Sequence, residues 1–213
     1  MKLQLTLDLL DMDEAFSYAD RICPYADILE IGTPLSMKYG FDGIRRIRER
    51  YPDTVILADN KIADGGRKLT DAVLSAGADI VTVLGIADEG TLLDAVDTAR
   101  KHRKKIFIDT LGVKNLEEFL LKADEYGADY VGVHVGVDEQ RKGATPVEKL
   151  KMARKLVRNT KIAVAGGLKI GSVLNEVIEN KADVAIVGAG VYRASDQREE
   201  ARKIYELLHK GET

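Results

Sequence analysis

Four short apolar runs, each opening with Ala-Asp, recur along the chain at a nearly constant spacing. Their first residues stand at positions 26, 78, 128 and 182, so successive runs begin 52, 50 and 54 residues apart. Each run is rich in β-branched residues, which is typical of a strand buried on both faces of a sheet. The runs are ADILEIG (26–32), ADIVTVL (78–84), ADYVGVH (128–134) and ADVAIVG (182–188).

Four further strand-like runs alternate with these blocks, and segments with helical periodicity separate the strands. The additional runs are LQLTLD (3–8), TVILAD (54–59), KIFIDT (105–110) and KIAVAG (161–166). In the intervening segments apolar residues recur every three or four positions, which predicts amphipathic helices. These include 42–51, 88–102, 145–158, which opens with Thr145-Pro146 and Glu148, and 195–209, which opens at Ser195.

The alternation of eight strands with helices predicts an α/β fold, a TIM (β/α)8 barrel. The chain has 213 residues, which is near the lower limit for this fold. A doubly wound open sheet is the competing architecture. The regular period of two strands favours closure into a barrel. No linker rich in Pro, Gly or Ser interrupts the chain, so we predict a single (β/α)8 barrel domain over residues 1–213.

Composition and charge argue against several classes of protein. The formal net charge is −3, from 32 basic and 35 acidic residues, so no basic excess is available to neutralise nucleic acid or a membrane surface. The one cysteine, Cys23, permits no intramolecular disulfide and suits a reducing compartment. The apolar runs are shorter than the roughly 18 residues that a membrane span requires. We therefore expect a soluble cytoplasmic protein.

Polar side chains follow the predicted strands at the ends that meet in a closed barrel, where the active site of this fold lies. They include Asp8, Glu30, Asp59, Lys61, Asp109 and His134. His134 can also be a core histidine with satisfied hydrogen bonds, and Asp109 can be a buried structural partner. Charges at the end of a buried strand need partners or a function, so the cluster around Lys61 predicts a binding or catalytic site.

The charged residues after the third strand indicate a chemistry. Lys61 can pair with Asp8, Asp59 and Asp64, and nearby negative charge favours the protonated form of a lysine. A fixed positive charge of this kind stabilises an anionic intermediate. Glu30 and Asp59, on adjacent strands, can bind a hard divalent cation such as Mg2+, with Mn2+ as the alternative.

Glycines after the last two strands predict a phosphate site. Gly166-Gly167 follows the seventh strand, and Gly188-Ala189-Gly190 follows the eighth. The loops after these strands are the usual phosphate site of the barrel, because backbone amides there can approach an anion closely. Arg193 is close enough in sequence to assist. A Gly-Gly pair that only forms a tight turn is the simpler alternative.

The stretch ADNKIADGG (58–66) resembles the Asp-x-Lys-x-x-Asp signature of the orotidine-5′-phosphate decarboxylase superfamily. Its glycine after the last Asp is similar to the branch that contains 3-hexulose-6-phosphate synthases and 3-keto-L-gulonate-6-phosphate decarboxylases. Further similar segments cover nearly the whole chain, and the combined match is specific. These are LTLDLL (5–10), LEIGTPL (29–35), DIVTVLG (79–85), AVAGGLK (163–169) and VAIVGAG (184–190).

Two features of the resemblance separate the synthases from the decarboxylases. HVGVD (134–138) is similar to the His-x-Gly-x-Asp stretch of the synthases, as are GTP (32–34) and KGATP (142–146). The decarboxylases place one arginine a turn beyond the histidine and another in the glycine loop after strand 8. Val137 and Gly190 occupy those places here, and both departures favour a synthase.

The resemblance implies a role for each matching residue. Glu30 and Asp59 would bind Mg2+, while Asp8 and Lys61 would hold substrate hydroxyls and the developing charge. His134 would move protons. Asp64 is expected to reach the site of a neighbouring subunit, which implies a homodimer with shared active sites. The phosphate would be held by Gly167, Gly188, Ala189 and Gly190.

The implied reaction is the Mg2+-dependent aldol addition of formaldehyde to D-ribulose 5-phosphate, or its reverse, through a 1,2-enediolate. The product would be D-arabino-hex-3-ulose 6-phosphate, and the implied class is carbon-carbon lyase. A decarboxylase acting on 3-keto-L-gulonate 6-phosphate through the same intermediate is the first alternative. A non-catalytic phosphosugar-binding barrel is the second. A Rossmann-type nucleotide binder is disfavoured, because Gly188-Ala189-Gly190 comes too late in the chain.

Overall fold

The computed structural model describes residues 1–210, in which eight parallel strands form a closed barrel. Neighbouring strands in the chain are neighbours in the sheet, and β1 also pairs with β8, so the open-sheet alternative is excluded. The last three positions of the predicted domain lie outside the described residues. The strands are β1 Lys2–Leu7, β2 Ile28–Ile31, β3 Ile56–Ile62, β4 Ile80–Leu84, β5 Lys105–Asp109, β6 Tyr130–His134, β7 Lys161–Ala165 and β8 Val184–Val187.

Helices connect the strands around the outside of the barrel, and none within residues 1–210 is both long and apolar enough to span a membrane. A short 3-10 helix, Cys23–Tyr25, follows the first of them. The α-helices in that range are α1 Met12–Ile22, α2 Thr33–Arg50, α3 Gly66–Ser75, α4 Glu89–Lys101, α5 Leu116–Tyr126, α6 Val137–Gln140, α7 Val147–Leu156, α8 Ser172–Glu179, α9 Ala189–Tyr192 and α10 Gln197–Leu208.

Several predicted element ends were wrong, among them the start of the helix predicted over 42–51, which begins at Thr33. β3 does not end at Asp59 but continues to Ile62. The helix predicted from Ser195 begins at Gln197, because Asp196 is its N-cap and accepts the amide of Glu199. The helix predicted to open with a cap at Thr145 begins at Val147, and no side chain caps it.

The barrel interior has an apolar floor and a polar upper part. The floor consists of Ile28, Leu57, Ile80, Phe107, Tyr130, Ala163, Val184 and Ile186. Gly132 makes room for the Phe107 ring, since a Cβ at that position would lie 2.3 Å from it. The buried polar side chains Thr6, Glu30, Asp59, Thr82 and Asp109 line the cavity at the carboxyl ends of the strands.

The aspartate of each Ala-Asp pair binds the strand that precedes it in the barrel, in an arrangement that we call an aspartate clasp. Its carboxylate accepts the backbone N–H of one residue in that strand, and its own N–H donates to the carbonyl of the same residue. The carboxylate bonds are 2.7, 2.9, 3.0 and 2.8 Å long. The pairs are Asp27–Leu3, Asp79–Ile56, Asp129–Ile106 and Asp183–Ile162.

Candidate active site

A cavity of about 540 Å³ opens at the carboxyl ends of the strands, where the fold predicts a site. Every strand contributes to its wall, because alternate side chains of each strand point into the barrel. The predicted site residues that line this cavity are Asp8, Glu30, Asp59, Lys61, His134, Gly167, Gly188, Ala189 and Gly190.

Lys61 lies in the charged part of the cavity and forms two ion pairs. Its Nζ is 2.6 Å from Asp59 Oδ2 and 3.3 Å from Asp109 Oδ2. The prediction that Asp8 and Asp64 pair with Lys61 was wrong, since in residues 1–210 it forms ion pairs only with Asp59 and Asp109. Lys61 is the last residue but one of β3, and its side chain extends toward Asp109 at the end of β5 and not toward Asp8 after β1.

The protonated state of Lys61 follows from these neighbours. Burial by itself would lower its pKa, but the charges of Asp59 and Asp109 and the hydrogen bond to Asp59 raise the pKa above its ordinary value. The expected direction of the pKa shift is therefore confirmed. A lysine of this kind provides a fixed positive charge and is unsuited to form a Schiff base, which requires a neutral amine.

Asp109 connects Lys61 to His134. Asp109 is 3% exposed, its Oδ2 lies 3.0 Å from Nδ1 of His134, and its Oδ1 accepts the amide of Leu111. Burial would raise the pKa of Asp109, but the hydrogen bond and charge of His134, with the charge of Lys61, hold it below its ordinary value. Asp109 thus stays ionised between two cationic or donor groups.

Asp109 also orients His134. An imidazole that donates Nδ1–H to a carboxylate presents its other nitrogen, Nε2, as the acceptor. The partner of His134 is a charged group and not an apolar core contact, and His134 lines the cavity. The alternatives in which His134 is a core histidine and Asp109 only a structural partner are therefore disfavoured by the geometry.

Glu30 lies among negative groups. It is 7% exposed, and its Oε2 accepts the side-chain amide of Gln4 at 2.5 Å. Burial, together with the charges of Asp59 and Asp8, raises the pKa of Glu30 well above its ordinary value. A cation beside these carboxylates would favour the ionised form of Glu30.

The donor set fits a hard divalent ion that keeps most of its water. In residues 1–210 no group of three or more His, Cys, Asp or Glu side chains has the arrangement of a metal site. Two carboxylates suffice for Mg2+, which usually retains several waters. Asp59 Oδ1 accepts one hydrogen bond, from Thr82, and Glu30 Oε1 accepts none from the described residues, so each carboxylate keeps a free lone pair.

Asp8 occupies a narrow slot beside two glycines. Its Oδ2 accepts the Thr6 hydroxyl at 2.6 Å. A Cβ at Gly32 would lie 2.2 Å from Asp8 Oδ1, and one at Gly188 would lie 3.0 Å from Oδ2. Side chains at either position would displace the carboxylate, so the two glycines allow Asp8 to face the cavity.

The loops after β7 and β8 form the wall with the glycines that were predicted to bind phosphate. Gly166 and Gly167 have φ values of 124° and 70°, a left-handed region that favours glycine. A Cβ at Gly190 would lie 2.3 Å from the carbonyl oxygen of Leu168, so the two loops touch there. Arg193 also lines the cavity, as its position in the sequence suggested.

Asp64 is the one predicted site residue outside the cavity lining of the described chain. It is exposed, and its Oδ1 accepts the amide of Gly65 at 2.7 Å. The resemblance assigns it to the site of a neighbouring subunit, and a single chain leaves that assignment a prediction.

Several polar residues of the site were not predicted from the sequence. Thr33 donates to Asp59 Oδ2 at 2.6 Å, Thr82 donates to Asp59 Oδ1 at 2.9 Å, and Gln140 donates to the carbonyl of Val135 at 2.8 Å. Thr82 follows the pattern of an ordinary buried strand, and Gln140 that of a helix surface. Only the inward register of Thr82, two positions after inward Ile80, could have indicated its place.

These features define a (β/α)8 barrel with an anionic, lysine-containing site at the carboxyl ends of its strands. The chain belongs to the orotidine 5′-phosphate decarboxylase / HUMPS family, whose model matches residues 1–204.

Relatives of known name are similar over almost the full chain. A 3-hexulose-6-phosphate synthase of Bacillus subtilis is 41% identical over 211 residues, which cover 99% of this chain and 100% of that protein. The crystal structure of 3-hexulose-6-phosphate synthase from Salmonella typhimurium is 39% identical, with a TM-score of 0.94 and 98% of both chains covered. The 3-keto-L-gulonate-6-phosphate decarboxylase of Vibrio cholerae is 22% identical with a TM-score of 0.83, over 97% of this chain and 98% of that chain, and shows the shared fold alone.

Proposed function

We propose that this chain is a carbon-carbon lyase that adds formaldehyde to D-ribulose 5-phosphate, giving D-arabino-hex-3-ulose 6-phosphate, or catalyses the reverse. The observation that carries the proposal is the linked set of Lys61, Asp109 and His134, which joins a fixed positive charge to an oriented imidazole in one cavity. The names of relatives that are 36 to 41% identical support the same reaction.

His134 is the base of the proposed mechanism. Its Nδ1 lies 3.0 Å from Asp109, so Nε2 is available to accept the proton that leaves C1 of the ketose. The electrons of that C–H bond then form a 1,2-enediolate. Its C1 attacks the carbon of formaldehyde, a new C–C bond forms, and the formaldehyde oxygen takes up a proton.

Lys61 stabilises the charge that develops on the substrate. Its raised pKa keeps the ammonium group protonated, and its two carboxylate partners hold it in place before the reaction. Preorganised charge of this type is among the larger contributions to enzyme catalysis. Asp8, in its slot between two glycines, is placed to accept hydrogen bonds from substrate hydroxyls.

Glu30 and Asp59 are the residues that would hold Mg2+, with Mn2+ as the alternative. The bound ion supplies Lewis-acid charge for the oxygens of the substrate. Glu30 is kept in the cavity by Gln4, and Asp59 by Thr33 and Thr82. Neutral donors orient both carboxylates, and Asp59 is also paired with the Lys61 ammonium through Oδ2.

The phosphate of the substrate is assigned to the loops after β7 and β8. Gly167, Gly188, Ala189 and Gly190 expose backbone there without side chains larger than methyl, and Arg193 adds a positive charge. Binding at this distance from the reacting carbon orients the substrate, so phosphate binding energy contributes to the rate.

The decarboxylase alternative is less well supported by the cavity wall. At the two places where the resemblance gives decarboxylases an arginine, this chain has Val137 and Gly190. Because a Cβ at Gly190 would lie 2.3 Å from the Leu168 carbonyl, the backbone is arranged for glycine and not for a side chain. We therefore favour the aldol reaction over decarboxylation of 3-keto-L-gulonate 6-phosphate.

A homodimer with shared sites is also proposed. Asp64 is exposed just beyond the end of β3, and large apolar side chains on α2, on α3 and in the loop before α1 are exposed to solvent. They are Leu10, Met37, Phe41 and Leu69. Exposed apolar side chains on adjacent elements are typical of a surface that another protein covers.

The assay that tests the function combines the purified protein with ribulose 5-phosphate, formaldehyde and Mg2+, and follows the loss of formaldehyde. We expect turnover by the natural chain and none by Lys61→Ala or Asp59→Ala, because each removes a charge that the mechanism needs. Lys101→Ala, which removes an exposed lysine of α4, is the matched control and should retain activity.

Other outcomes of this assay have a defined meaning. Near-normal formaldehyde fixation by Lys61→Ala or Asp59→Ala would refute the assigned roles. Release of CO2 from 3-keto-L-gulonate 6-phosphate without formaldehyde fixation would identify the decarboxylase. Thermal stabilisation by ribulose 5-phosphate without any turnover would identify a non-catalytic phosphosugar-binding barrel.

Removal of the metal tests the role of Glu30 and Asp59. Treatment with EDTA should abolish activity, and Mg2+ or Mn2+ should restore it, because the two carboxylates would then lack the ion that they hold. The rate of formaldehyde loss measures both steps. An unaffected rate after EDTA treatment would remove the metal from the mechanism.

A further inference from the structure

We propose that Thr82 is a positioning residue that sets the backbone conformation at Lys61 and the orientation of Asp59. The inference deepens the proposed function, on which its catalytic consequence rests. Thr82 lies in the middle of β4, is 3% exposed and lines the cavity. The hydrogen bonds of its hydroxyl lead to β3 and not to the phosphate loops, so its effect would pass through the two charged residues opposite.

The backbone at Lys61 has an unusual conformation. Its φ is 47°, in the left-handed region that a residue with a Cβ adopts only at a cost. Arg103 and Lys181 also have positive φ, but they lie in the connections that follow α4 and α8, where helices commonly end in this way. At Lys61 the same conformation occurs inside a strand, which indicates that surrounding groups hold it there.

A bulge in β3 explains why the conformation occurs at this point. Ala58 pairs with Val81 and Ile62 pairs with Val83, so residues 59 to 61 of β3 lie opposite the single residue Thr82 of β4. A bulge disrupts the regular ladder and redirects side chains, and bulges are frequent beside active sites. Here the bulged residues include both Asp59 and Lys61.

The hydroxyl of Thr82 forms hydrogen bonds to two of the bulged residues. It accepts the backbone N–H of Lys61 at 2.9 Å and donates to Asp59 Oδ1 at 2.9 Å. A hydroxyl has one hydrogen to donate and lone pairs to accept, so both bonds can form at once. The Thr82 hydroxyl oxygen therefore fixes the position of the Asp59 carboxylate relative to the Lys61 backbone. The Lys61 ammonium group in turn donates to the other carboxylate oxygen, Asp59 Oδ2, at 2.6 Å.

A loss of this hydroxyl should misplace the charges without removing any of them. Asp59 would lose a donor that fixes its plane, and the Lys61 amide would lose its acceptor. A displacement of about 1 Å in a catalytic group can lower the rate about 100-fold. The expected effect lies on kcat, because the proposed function assigns the binding of the substrate phosphate and hydroxyls to residues other than Thr82.

The test compares Thr82→Val with Thr82→Ser. Valine keeps the shape and the β-branched character of threonine but lacks the hydroxyl, and serine keeps the hydroxyl. We expect Thr82→Val to lower kcat about 10- to 100-fold with KM changed less than about threefold. Thr82→Ser should keep kcat within about threefold of the natural chain. Thr98→Val is the matched control, because it deletes another buried threonine hydroxyl, which donates to the Asp94 carbonyl in α4.

A second readout does not depend on turnover. In 15N-labelled full-length protein, the Lys61 amide should exchange with solvent deuterium about tenfold faster in Thr82→Val than in the natural chain or Thr82→Ser. Other β3 and β4 amides should be unchanged. If Thr82→Val does not fold, Thr82→Ala replaces it, with thermal unfolding as the check. A natural chain without aldolase activity would defeat the proposed function, while the amide measurement would still decide the role of Thr82.

Several results would overturn the inference. Three of them are an unchanged kcat in Thr82→Val, an unchanged Lys61 amide exchange rate, and a loss of kcat in Thr98→Val as large as that in Thr82→Val. A rise in KM alone would also refute it, because that result would place Thr82 in substrate binding. Failure of Thr82→Ser to restore both kcat and amide protection would show that the hydroxyl is not the active group.

Discussion

At the scale of single residues, Asp109 has more influence on the site than its sequence position suggests. It is the only carboxylate in residues 1–210 that contacts both Lys61 and His134. It thereby keeps the lysine near the imidazole, and it determines which nitrogen of His134 faces the substrate. The base and the positive charge of the proposed mechanism thus depend on one buried side chain.

Replacement of Asp109 by asparagine tests this dependence. Asparagine keeps the size of the side chain but removes the charge and replaces one acceptor oxygen by an NH2 donor. If the remaining oxygen keeps the Leu111 amide, the NH2 group faces Nδ1 of His134, which loses its orienting acceptor, and Lys61 loses one of two ion pairs. We expect kcat for formaldehyde addition to fall about 100-fold or more. Steady-state kinetics measure the effect, with Asp53→Asn, an exposed aspartate, as control. A variant with natural kcat would show that His134 does not need Asp109.

The residues of the site were only partly predictable. Asp8, Glu30, Asp59, Lys61 and His134 could be placed in the cavity, because residues at strand ends converge in a barrel. The ion-pair partners of Lys61 could not be predicted, because they depend on how far its side chain extends and on which strand lies opposite. Thr82 was missed for a similar reason: its role arises from a bulge in the opposite strand.

At the scale of elements, the aspartate clasps explain why an aspartate recurs directly before alternate strands. Asp79 has two additional partners, since Arg48 and Lys104 pair with its carboxylate beside the Ile56 amide. Partial burial would raise the pKa of Asp79, but the hydrogen bonds of Lys104 and Ile56 and the charge of Arg48 hold it below its ordinary value of 3.8.

This lowered pKa predicts how stability changes with pH. A carboxylate whose pKa is lower in the folded than in the unfolded protein stabilises the fold at pH values above its unfolded-state pKa. That contribution is lost as the pH falls through the folded-state pKa. Asp79→Asn should therefore destabilise the protein at pH 7 by about 1.5 to 3 kcal/mol and have a smaller effect below pH 3.8. Urea unfolding at several pH values measures this.

The control for Asp79 is Asp97→Asn, which changes an exposed aspartate of α4. It should change stability little at any pH, because exposed ion pairs contribute little. An equal loss of stability in Asp79→Asn at pH 7 and pH 3 would contradict the role of its ionised form.

Sequence patterns predicted elements better than their ends. Strand positions followed from β-branched runs, because a sheet covered on both faces buries every residue. The end of β3 at Ile62 could not be predicted from the hydrophobic pattern, because three polar residues, Asp59, Asn60 and Lys61, lie inside the strand. The start of α10 was misplaced by two residues, because Ser195 and Asp196 are both good caps and only the structure shows which one accepts the Glu199 amide.

At the scale of the whole molecule, closure between β1 and β8 brings residues from both ends of the chain into one cavity. Asp8, just after the first strand, therefore lies against Gly188, just after the last. Asp64, by contrast, lies outside the cavity lining of its own chain. If Asp64 completes the active site of a neighbouring subunit, the catalytic unit is larger than one barrel.

Mixed dimers test that arrangement. In a shared-site dimer of Lys61→Ala and Asp64→Ala chains, one site combines the natural Lys61 of one chain with the natural Asp64 of the other. Mixing the two inactive variants after mild dissociation should restore about a quarter of the natural activity. Activity is measured as formaldehyde loss, and each variant alone is the control. No recovery in dimers proven to be mixed would indicate that each site is built from one chain.

The four aspartate clasps have a consequence for how the chain can be divided. Each joins residues that are 24, 23, 23 and 21 positions apart, and together they tie β1 to β2, β3 to β4, β5 to β6 and β7 to β8. Loops of this length close at low entropic cost, so each strand–helix–strand quarter can order early during synthesis. New termini placed between quarters, for example near Asp53, should leave every quarter whole. Cuts near Gly112 would separate a strand from its clasping aspartate.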